Sequence, residues 1–160
     1  MPSLLISELL AGYRTRQFSP VEIIEQLLRA RAAQPERREW IAPLPAASVR
    51  ERARELAARA PDSLPLYGIP FAVKDNIDLE GVPTTVGCRE YAYTPARSAP
   101  VVARLIAAGA IPIGKTSLDQ FATGLTGIRS PLGACSNSFD ARFISGGSSS
   151  GSGLRSPLAR

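Results

Sequence analysis

Histidine is absent from the 160-residue sequence, and its two cysteines, Cys88 and Cys135, do not form a CxxC pair. Without histidine, neither a Ser-His-Asp triad nor a Cys-His pair can be built, and the usual zinc sites lack their ligands. We therefore expect no metal and no cofactor. A hydrolase built from this sequence must activate its nucleophile by another route.

Aromatic residues make up 6% of the chain and are not interleaved with its basic residues, so no platform for stacking nucleic-acid bases is visible. The formal charge of +5 comes from 19 basic and 14 acidic residues, and many arginines fall between Arg29 and Arg59. Such a cluster suits a surface for nucleic acid or anionic lipid, but a solvated helix face is its commoner origin. We expect no nucleic-acid or membrane partner.

Long hydrophobic runs are also missing. The apolar stretch from Leu4 to Leu10 is interrupted by Glu8, and no basic segment precedes it. This stretch is a poor match to a signal peptide, and nothing in the sequence approaches the roughly 18 apolar residues of a membrane-spanning helix. A cytoplasmic location is the expectation.

The N-terminal part of the chain carries helix signals. An amphipathic helix is predicted from Ser3 to Ala11, and Ser19-Pro20-Val21-Glu22 is a capping box with proline at the first helical position. Apolar residues at helical spacing follow the capping box, and another helix is predicted from Ser48 to about Ala60. We expect this whole segment to be helical and to carry no catalytic group.

Beyond Gly68 the pattern changes to that of an α/β fold. The apolar segments Ile69–Val73 and Ala110–Gly114 predict buried strands, and a helix is predicted between them from Ser98 to Ala108. A further helix is predicted over residues 118–124, before a long loop rich in Gly, Ser and Pro. A strand, a helix and a second strand in this order indicate an α/β sheet with covered faces.

Residues Gly109 to Thr116 match the P-loop pattern GxxxxGK[ST] letter for letter. A P-loop needs a strand before its first glycine and a flexible loop after it. Here a predicted helix precedes Gly109, and the intervening residues are those of the predicted strand. Because Pro112 also removes a backbone donor that a phosphate would need, we expect no nucleotide binding.

Two further features are ambiguous when each is taken alone. Lys74 follows a buried strand, where it either reaches water or lies behind the strand with its charged form disfavoured, as a base requires. Residues Ser145 to Gly153 read Ser-Gly-Gly-Ser-Ser-Ser-Gly-Ser-Gly, which is typical of a flexible linker. The same run directly follows an ordered-looking segment, and hydroxyls packed beside glycines can relay protons and bind an oxyanion.

Taken together and in this order, three segments resemble the amidase signature family. They are Gly68-Ile-Pro-Phe-Ala-Val-Lys74-Asp-Asn, the segment from Gly109 to Thr116, and Gly146-Gly-Ser-Ser-Ser-Gly-Ser152. The resemblance extends over nearly the whole chain. It implies an α/β fold in which N-terminal helices lead into the first strands of the family's mixed sheet.

Two more segments indicate which members of the family the chain resembles most. Leu118-Asp-Gln-Phe-Ala-Thr-Gly124 and Arg129-Ser-Pro-Leu-Gly-Ala-Cys-Ser-Asn137 look most like those of allophanate hydrolases. The resemblance therefore implies hydrolysis of allophanate to ammonia and carbon dioxide, a step of urea degradation.

The family's Ser–cisSer–Lys triad needs no histidine. By resemblance Lys74 is its buried neutral base, and Ser148 is similar to the bridging serine, whose peptide bond is cis. The bridging hydroxyl passes the nucleophile's proton to the lysine, and the nucleophile attacks the amide carbonyl. A small-molecule amide substrate is implied, and the resemblance is also compatible with a homodimer. The residues implied to support the site are Gly146, Gly147, Ser149, Ser150 and Gly151, and those implied in a substrate loop are Thr123, Gly124 and Gly127.

The end of the sequence departs from the family pattern. The nucleophilic serine and the oxyanion hole are expected beyond Arg160, so the sheet is expected to be incomplete and the chain to be inactive as given. After Ser152 the family continues with a small apolar helix, which Pro157 would break here.

A frameshift is the hypothesis that accounts for this departure. Deleting one base from the first of the codons for Ala-Val-Ala-Val-Ala-Ala-Gly-Pro-Val reproduces Gly153-Leu-Arg-Ser-Pro-Leu-Ala-Arg160 followed by a stop. On this hypothesis residues 1–153 are the N-terminal part of an amidase-signature domain, and residues 154–160 are an aberrant tail.

Other functions stay open on the sequence. General amidases and the amide-hydrolysing component of glutamyl-tRNA amidotransferases carry the same family motifs. The tRNA-dependent enzymes, however, tend to have a Met-Asp-Glu-Phe type of segment where this chain has Leu118-Asp-Gln-Phe. Outside the enzymes, a short non-catalytic protein that pairs with a separately encoded remainder is the alternative.

Overall fold

The computed structural model describes residues 3–34, 38–137, 139–140 and 142–152. The predicted aberrant tail, residues 154–160, lies outside these ranges. Within them the helices are α1 (Ile6–Arg14), α2 (Pro20–Ala32), α3 (Ala46–Ala57) and α4 (Pro100–Ala107). The strands are β1 (Trp40–Pro43), β2 (Pro70–Lys74) and β3 (Ile111–Thr116).

The predicted helices of the N-terminal part are confirmed, with shifted ends. Helix α2 begins at the predicted capping box: the Glu22 amide donates to Ser19 Oγ, and the Ser19 amide donates to the Glu22 carboxylate at 2.8 Å. These two bonds satisfy backbone donors that the first turn of a helix leaves free. Helix α1 starts at Ile6 and continues to Arg14, three residues past the predicted end.

The three strands form one mixed sheet in the order β1-β3-β2. Strands β2 and β3 are parallel and are joined through α4, which confirms the predicted strand–helix–strand unit. Strand β1 runs antiparallel to β3 on its other side. The expectation of an entirely helical N-terminal segment is therefore wrong, because the four residues of β1 are paired by a distant strand and carry no strand periodicity of their own.

The main hydrophobic core lies between the three N-terminal helices and the sheet. Its buried side chains come from α1, α2, α3, the segment before β2 and the start of β3: Leu9, Tyr13, Ile23, Ile24, Leu28, Val49, Ala53, Leu56, Tyr67, Ile69 and Ile111. A smaller cluster of Val73, Leu79 and Val102 packs α4 against the end of β2. Helices thus cover the sheet and present the carboxyl ends of β2 and β3 to the loops that follow.

The helix predicted over residues 118–124 is absent. The structure has a single 3-10 turn, Gln120–Ala122, in which Phe121 and Ala122 have positive φ angles of 51° and 57°. These angles lie outside the right-handed helical region. The reason is tertiary, because the carboxylate of Asp119 accepts hydrogen bonds from the backbone amides of Gly127 and Arg129 and folds this segment into a loop.

Candidate active site

Lys74 and Ser148 meet at the carboxyl edge of the parallel strands. Lys74 is the last residue of β2 and is paired in register with Thr116, the last residue of β3. Its Nζ donates a hydrogen bond to Ser148 Oγ at 2.7 Å. The peptide bond between Gly147 and Ser148 is cis. Residues 74 positions apart in the sequence are therefore in direct contact.

The surroundings of Lys74 favour its neutral form. The side chain is half-buried, and this burial lowers the pKa of Lys74 because the charged ammonium is desolvated. The negative charge of Asp119 acts in the opposite direction and raises the pKa, but to a smaller extent. A lysine with a lowered pKa carries a larger neutral fraction near neutral pH, and a neutral amine accepts a proton from a neighbouring hydroxyl.

Backbone hydrogen bonds hold the loop that carries Ser148. The Asp119 amide donates to the Ser148 carbonyl at 2.9 Å, and the Gly147 amide donates to the Leu125 carbonyl at 2.9 Å. The Gly151 amide donates to the Ser117 carbonyl just beyond β3, also at 2.9 Å. The loop is thus fixed on both sides of Ser148 by the segment that leaves the sheet.

Two glycines of the predicted supporting motif are required by close packing. A Cβ added at Gly147 would lie 2.2 Å from Asp119 Oδ2, and one added at Gly151 would lie 2.3 Å from the Glu39 carbonyl oxygen. These separations are far below van der Waals contact, so neither position accepts a side chain without rearrangement.

The other members of the predicted motif differ in their surroundings. Gly146 has a positive φ of 80°, Ser149 is exposed and Ser150 is fully buried. Just after them, Ser152 Oγ lies 2.9 Å from Thr116 Oγ1 and ties the run to β3. The run from Ser145 to Ser152 is therefore packed against the sheet edge, unlike a flexible linker.

The predicted substrate loop lies beside this serine loop. Gly127 donates its amide to Asp119 Oδ2 at 3.0 Å, and a Cβ at Gly124 would lie 2.4 Å from the same oxygen. Thr123 is exposed, and its hydroxyl donates to the Gln120 carbonyl at 2.9 Å. The structure thus brings Gly124 and Gly127 into contact with the residue that holds Ser148, whereas Thr123 bonds within its own turn.

The lysine of the P-loop-like sequence is part of a buried polar cluster. Strand β3 runs to Thr116, two residues further than predicted, so Lys115 lies within the strand. Its Nζ lies 3.3 Å from Asp75 Oδ1 and donates to Thr84 Oγ1 at 3.0 Å, with Lys115 and Asp75 fully buried. Burial lowers the pKa of Lys115, and Asp75 opposes this shift. A lysine that is paired inside the fold is unavailable to a phosphate.

Sequence reasoning missed Asp119 and the Asp75–Lys115 pair. Asp75 and Asp119 each lie just past the end of a strand of the sheet, at the edge where Ser148 is held. That position is the signal that points to them, because polar residues following parallel strands meet at one edge. Their charge alone gave no such signal, since most acidic residues are solvated.

Within the described part of the chain, no three His, Cys, Asp or Glu side chains come close enough together to hold a metal ion. No helix among the same residues is both long and apolar enough to cross a bilayer.

Comparison with known families agrees with the fold. The Amidase family model matches residues 22–154, which is most of the chain. The chain belongs to the amidase family.

Two relatives within the family are similar to this chain over most of its length. The chain is 45% identical over 133 residues to the urea amidolyase of Saccharomyces cerevisiae. This alignment covers 82% of this chain and 7% of that protein. It is 44% identical over 142 residues to one of the subunits of the glutamyl-tRNA(Gln) amidotransferase of Symbiobacterium thermophilum, covering 85% of this chain and 29% of that protein.

A solved structure of Kluyveromyces lactis allophanate hydrolase superposes with a TM-score of 0.75 at 42% identity. The alignment covers 89% of this chain and 24% of that chain. The chain therefore spans less than a third of each of these three relatives.

Proposed function

We propose that this chain supplies the base and the relay hydroxyl of an amide-hydrolysing site. Lys74 is the base and Ser148 is the relay. The observation that carries the proposal is the 2.7 Å contact between Lys74 Nζ and Ser148 Oγ. It is supported by the burial that lowers the pKa of Lys74, since a protonated lysine could not take up a proton.

The proton moves in two steps in this proposal. A nucleophilic hydroxyl attacks the carbonyl carbon of the amide and gives its proton to Ser148 Oγ, while the proton of Ser148 passes to the neutral Nζ of Lys74. The resulting ammonium then returns a proton through Ser148 to the leaving nitrogen, so the C–N bond breaks as an acyl-enzyme forms. Water hydrolyses this ester by the same relay, and Lys74 ends neutral.

The substrate class that we propose is a small linear amide of the allophanate type. The support is the 45% identity to a urea amidolyase and the 42% identity to an allophanate hydrolase. The chain spans less than a quarter of the length of these two relatives. We propose that Lys74 and Ser148 act together with a nucleophile and an oxyanion hole, and that the reaction takes place in the cytoplasm.

A second candidate is the amide-hydrolysing component of a glutamyl-tRNA amidotransferase. The observation that favours it is the 44% identity over 142 residues to one of the subunits of such an enzyme. Lys74 and Ser148 would have the same roles there. The two candidates therefore differ in the substrate and in the partner proteins, and a substrate comparison separates them.

A chimera tests the proposal. Residues 22–152 replace the matching segment of the Saccharomyces cerevisiae urea amidolyase, and ammonia release is measured with allophanate and, separately, with glutamine. We expect hydrolysis of allophanate, and we expect Lys74→Ala to lower the rate by about 10²–10⁴-fold, the usual contribution of a general base. Ser148→Ala should cause a loss of the same order because it breaks the relay.

Glu55→Gln is the matched control, because Glu55 is exposed on α3 and pairs with Arg52 one turn away. This variant should keep the rate of the unmodified chimera. Hydrolysis that survives Lys74→Ala undiminished would contradict the proposed roles, whereas Lys74-dependent hydrolysis of glutamine but not of allophanate would move the assignment to the second candidate.

A further inference from the structure

One buried carboxylate connects the loops on both sides of the candidate site. Asp119 is fully buried, and its Oδ2 and Oδ1 accept the backbone amides of Gly127 at 3.0 Å and Arg129 at 2.9 Å. Its own amide donates to the Ser148 carbonyl at 2.9 Å. Both ends of the same residue are therefore engaged, one with the predicted substrate loop and the other with the serine loop.

The space around this carboxylate is made by glycines. A Cβ at Gly124 would lie 2.4 Å from Asp119 Oδ2, and a Cβ at Gly147 would lie 2.2 Å from the same atom. Any other residue at either position would displace the carboxylate or the loop. A charged group held so closely on all sides has a fixed position relative to Ser148, which follows Gly147 directly.

We propose that Asp119 is the positioning residue of the site: it fixes Ser148 against Lys74 and places a carboxylate beside this pair. The proposal rests on the function proposed above for Lys74 and Ser148. Asp119 does not touch the reacting atoms, and it acts through the two residues that do.

The charge of Asp119 has a consequence for Lys74. Burial lowers the pKa of Lys74, and Asp119 is the acidic group that counteracts this shift. The neighbouring acid, Asp75, is already paired with Lys115. A relay base must give its proton back in each cycle, so a pKa that is too low would impair it as much as one that is too high. In this proposal Asp119 opposes the lowering of the Lys74 pKa and so favours the return of the proton.

The composition of the chain makes a direct test practical, because Lys74 and Lys115 are its only lysines. Lysine labelled with ¹³C at Cε therefore gives two side-chain signals, whose chemical shifts are followed by NMR as the pH is raised. In Asp119→Asn, which keeps the size of the side chain and removes its charge, we expect the titration of Lys74 to move to lower pH. Lys115 is the internal control, and its titration should stay in place.

Asp62→Asn is the matched charge control, since Asp62 is exposed and pairs with Arg14 at the surface. Asp62→Asn should shift the pH titration of neither Lys74 nor Lys115. An unchanged Lys74 titration in a folded Asp119→Asn variant would overturn the proposal.

Gly124→Ala provides a second variant if Asp119→Asn does not fold. Its Cβ would change the position of the Asp119 carboxylate relative to the loop and leave the charge in the protein. We expect the Lys74 titration to change and that of Lys115 to stay, and an unchanged Lys74 would again overturn the proposal. None of these measurements needs turnover. A failure of the hydrolysis assay with a normal Asp119 effect would therefore count against the proposed function alone.

Discussion

The N-terminal region, residues 3–67, and the loop region, residues 117–152, are built by different means. In the N-terminal region three helices bury a shared apolar core beneath the sheet. Among the described residues of the loop region the only helical element is one 3-10 turn. Its backbone is held instead by polar side chains such as Asp119 and Asn137, which accept backbone amides.

The distribution of exposed apolar side chains follows the same division. Leu125 is 84% exposed and Phe139 is 77% exposed, and further exposed apolar residues of the loop region are Ile128, Phe143 and Ile144. The candidate site therefore lies where apolar burial contributes least. The helices therefore stabilise a platform, while a few buried polar groups at the sheet edge give the site its geometry.

The largest effect should come from the ion pair buried at the sheet edge. Lys115→Ala leaves the carboxylate of Asp75 buried without its 3.3 Å partner. We expect the free energy of unfolding, measured by urea denaturation, to fall by about 3–5 kcal/mol. Arg142→Ala breaks an exposed pair in the loop region and should cost about 0–1 kcal/mol. Equal losses in the two variants would remove the distinction between buried and exposed charge.

A matched pair of isoleucines compares the two regions directly. Ile23 is fully buried on α2, whereas Ile128 in the loop region is 53% exposed. Ile23→Ala should lower the free energy of unfolding by about 2–5 kcal/mol, since it leaves a cavity in the core. Ile128→Ala should change it by no more than about 0.5 kcal/mol. A larger loss at Ile128 would show that the loop region carries a core of its own.

Alkaline pH should weaken the helical region through Tyr13. Its hydroxyl donates to the Gly68 carbonyl at 3.0 Å, and burial, followed by the neighbouring Tyr67, raises its pKa above the ordinary range. Folded Tyr13 therefore keeps its proton after the unfolded chain has lost it. The contribution of Tyr13 to the free energy of unfolding is complete below its pKa in the unfolded chain, near 10. This contribution is lost as the pH rises from there through the pKa of Tyr13 in the folded chain.

We expect stability to fall above about pH 10 by up to about 1.4 kcal/mol per pH unit from this group. Tyr13→Phe, which should cost about 1 kcal/mol at neutral pH, should make the alkaline loss shallower. Urea denaturation at several pH values measures both effects, and an identical pH dependence in the variant would refute the assignment to Tyr13.

The smallest effect concerns the start of α2. Ser19→Ala removes the side-chain acceptor of the capping box and should lower the free energy of unfolding by about 1 kcal/mol. Ser48 is the matched control, since its exposed hydroxyl donates to the Pro45 carbonyl and caps no free amide. Ser48→Ala should change stability by less than about 0.5 kcal/mol. Comparable losses in the two variants would mean that the capping box stabilises α2 no more than the surface hydrogen bond of Ser48 does.

The sequence predicts best those features that depend on neighbouring residues. The cap at Ser19, the helical spacing after it and the apolar runs of β2 and β3 are local patterns, and the structure has all of them. Strand β1 and the turn at Gln120–Ala122 were not predictable in this way. The first is formed by pairing with β3, and the second is imposed by the Asp119 carboxylate.

The residues of the candidate site also fall into two groups: those that the sequence motifs predict and those that only the folded structure reveals. Family motifs pointed to Lys74 and Ser148, and the structure places them in contact. Asp119 was passed over because nothing near it in the sequence shows that its carboxylate is buried. Lys115 lies within β3, and its pairing with Asp75, which directly follows β2, depends on the register between the two strands, which local sequence does not fix.

The pH dependence of Lys74 acylation tests directly whether Lys74 is a neutral base. The native chain and the urea-unfolded chain are treated briefly with an amine-acylating reagent across a range of pH, and modification of each lysine is quantified by mass spectrometry. We expect the reaction midpoint of Lys74 to lie at lower pH in the native chain than in the unfolded chain. A native midpoint equal to or above the unfolded one would mean that Lys74 is an ordinary protonated lysine, and the proposed base would be wrong.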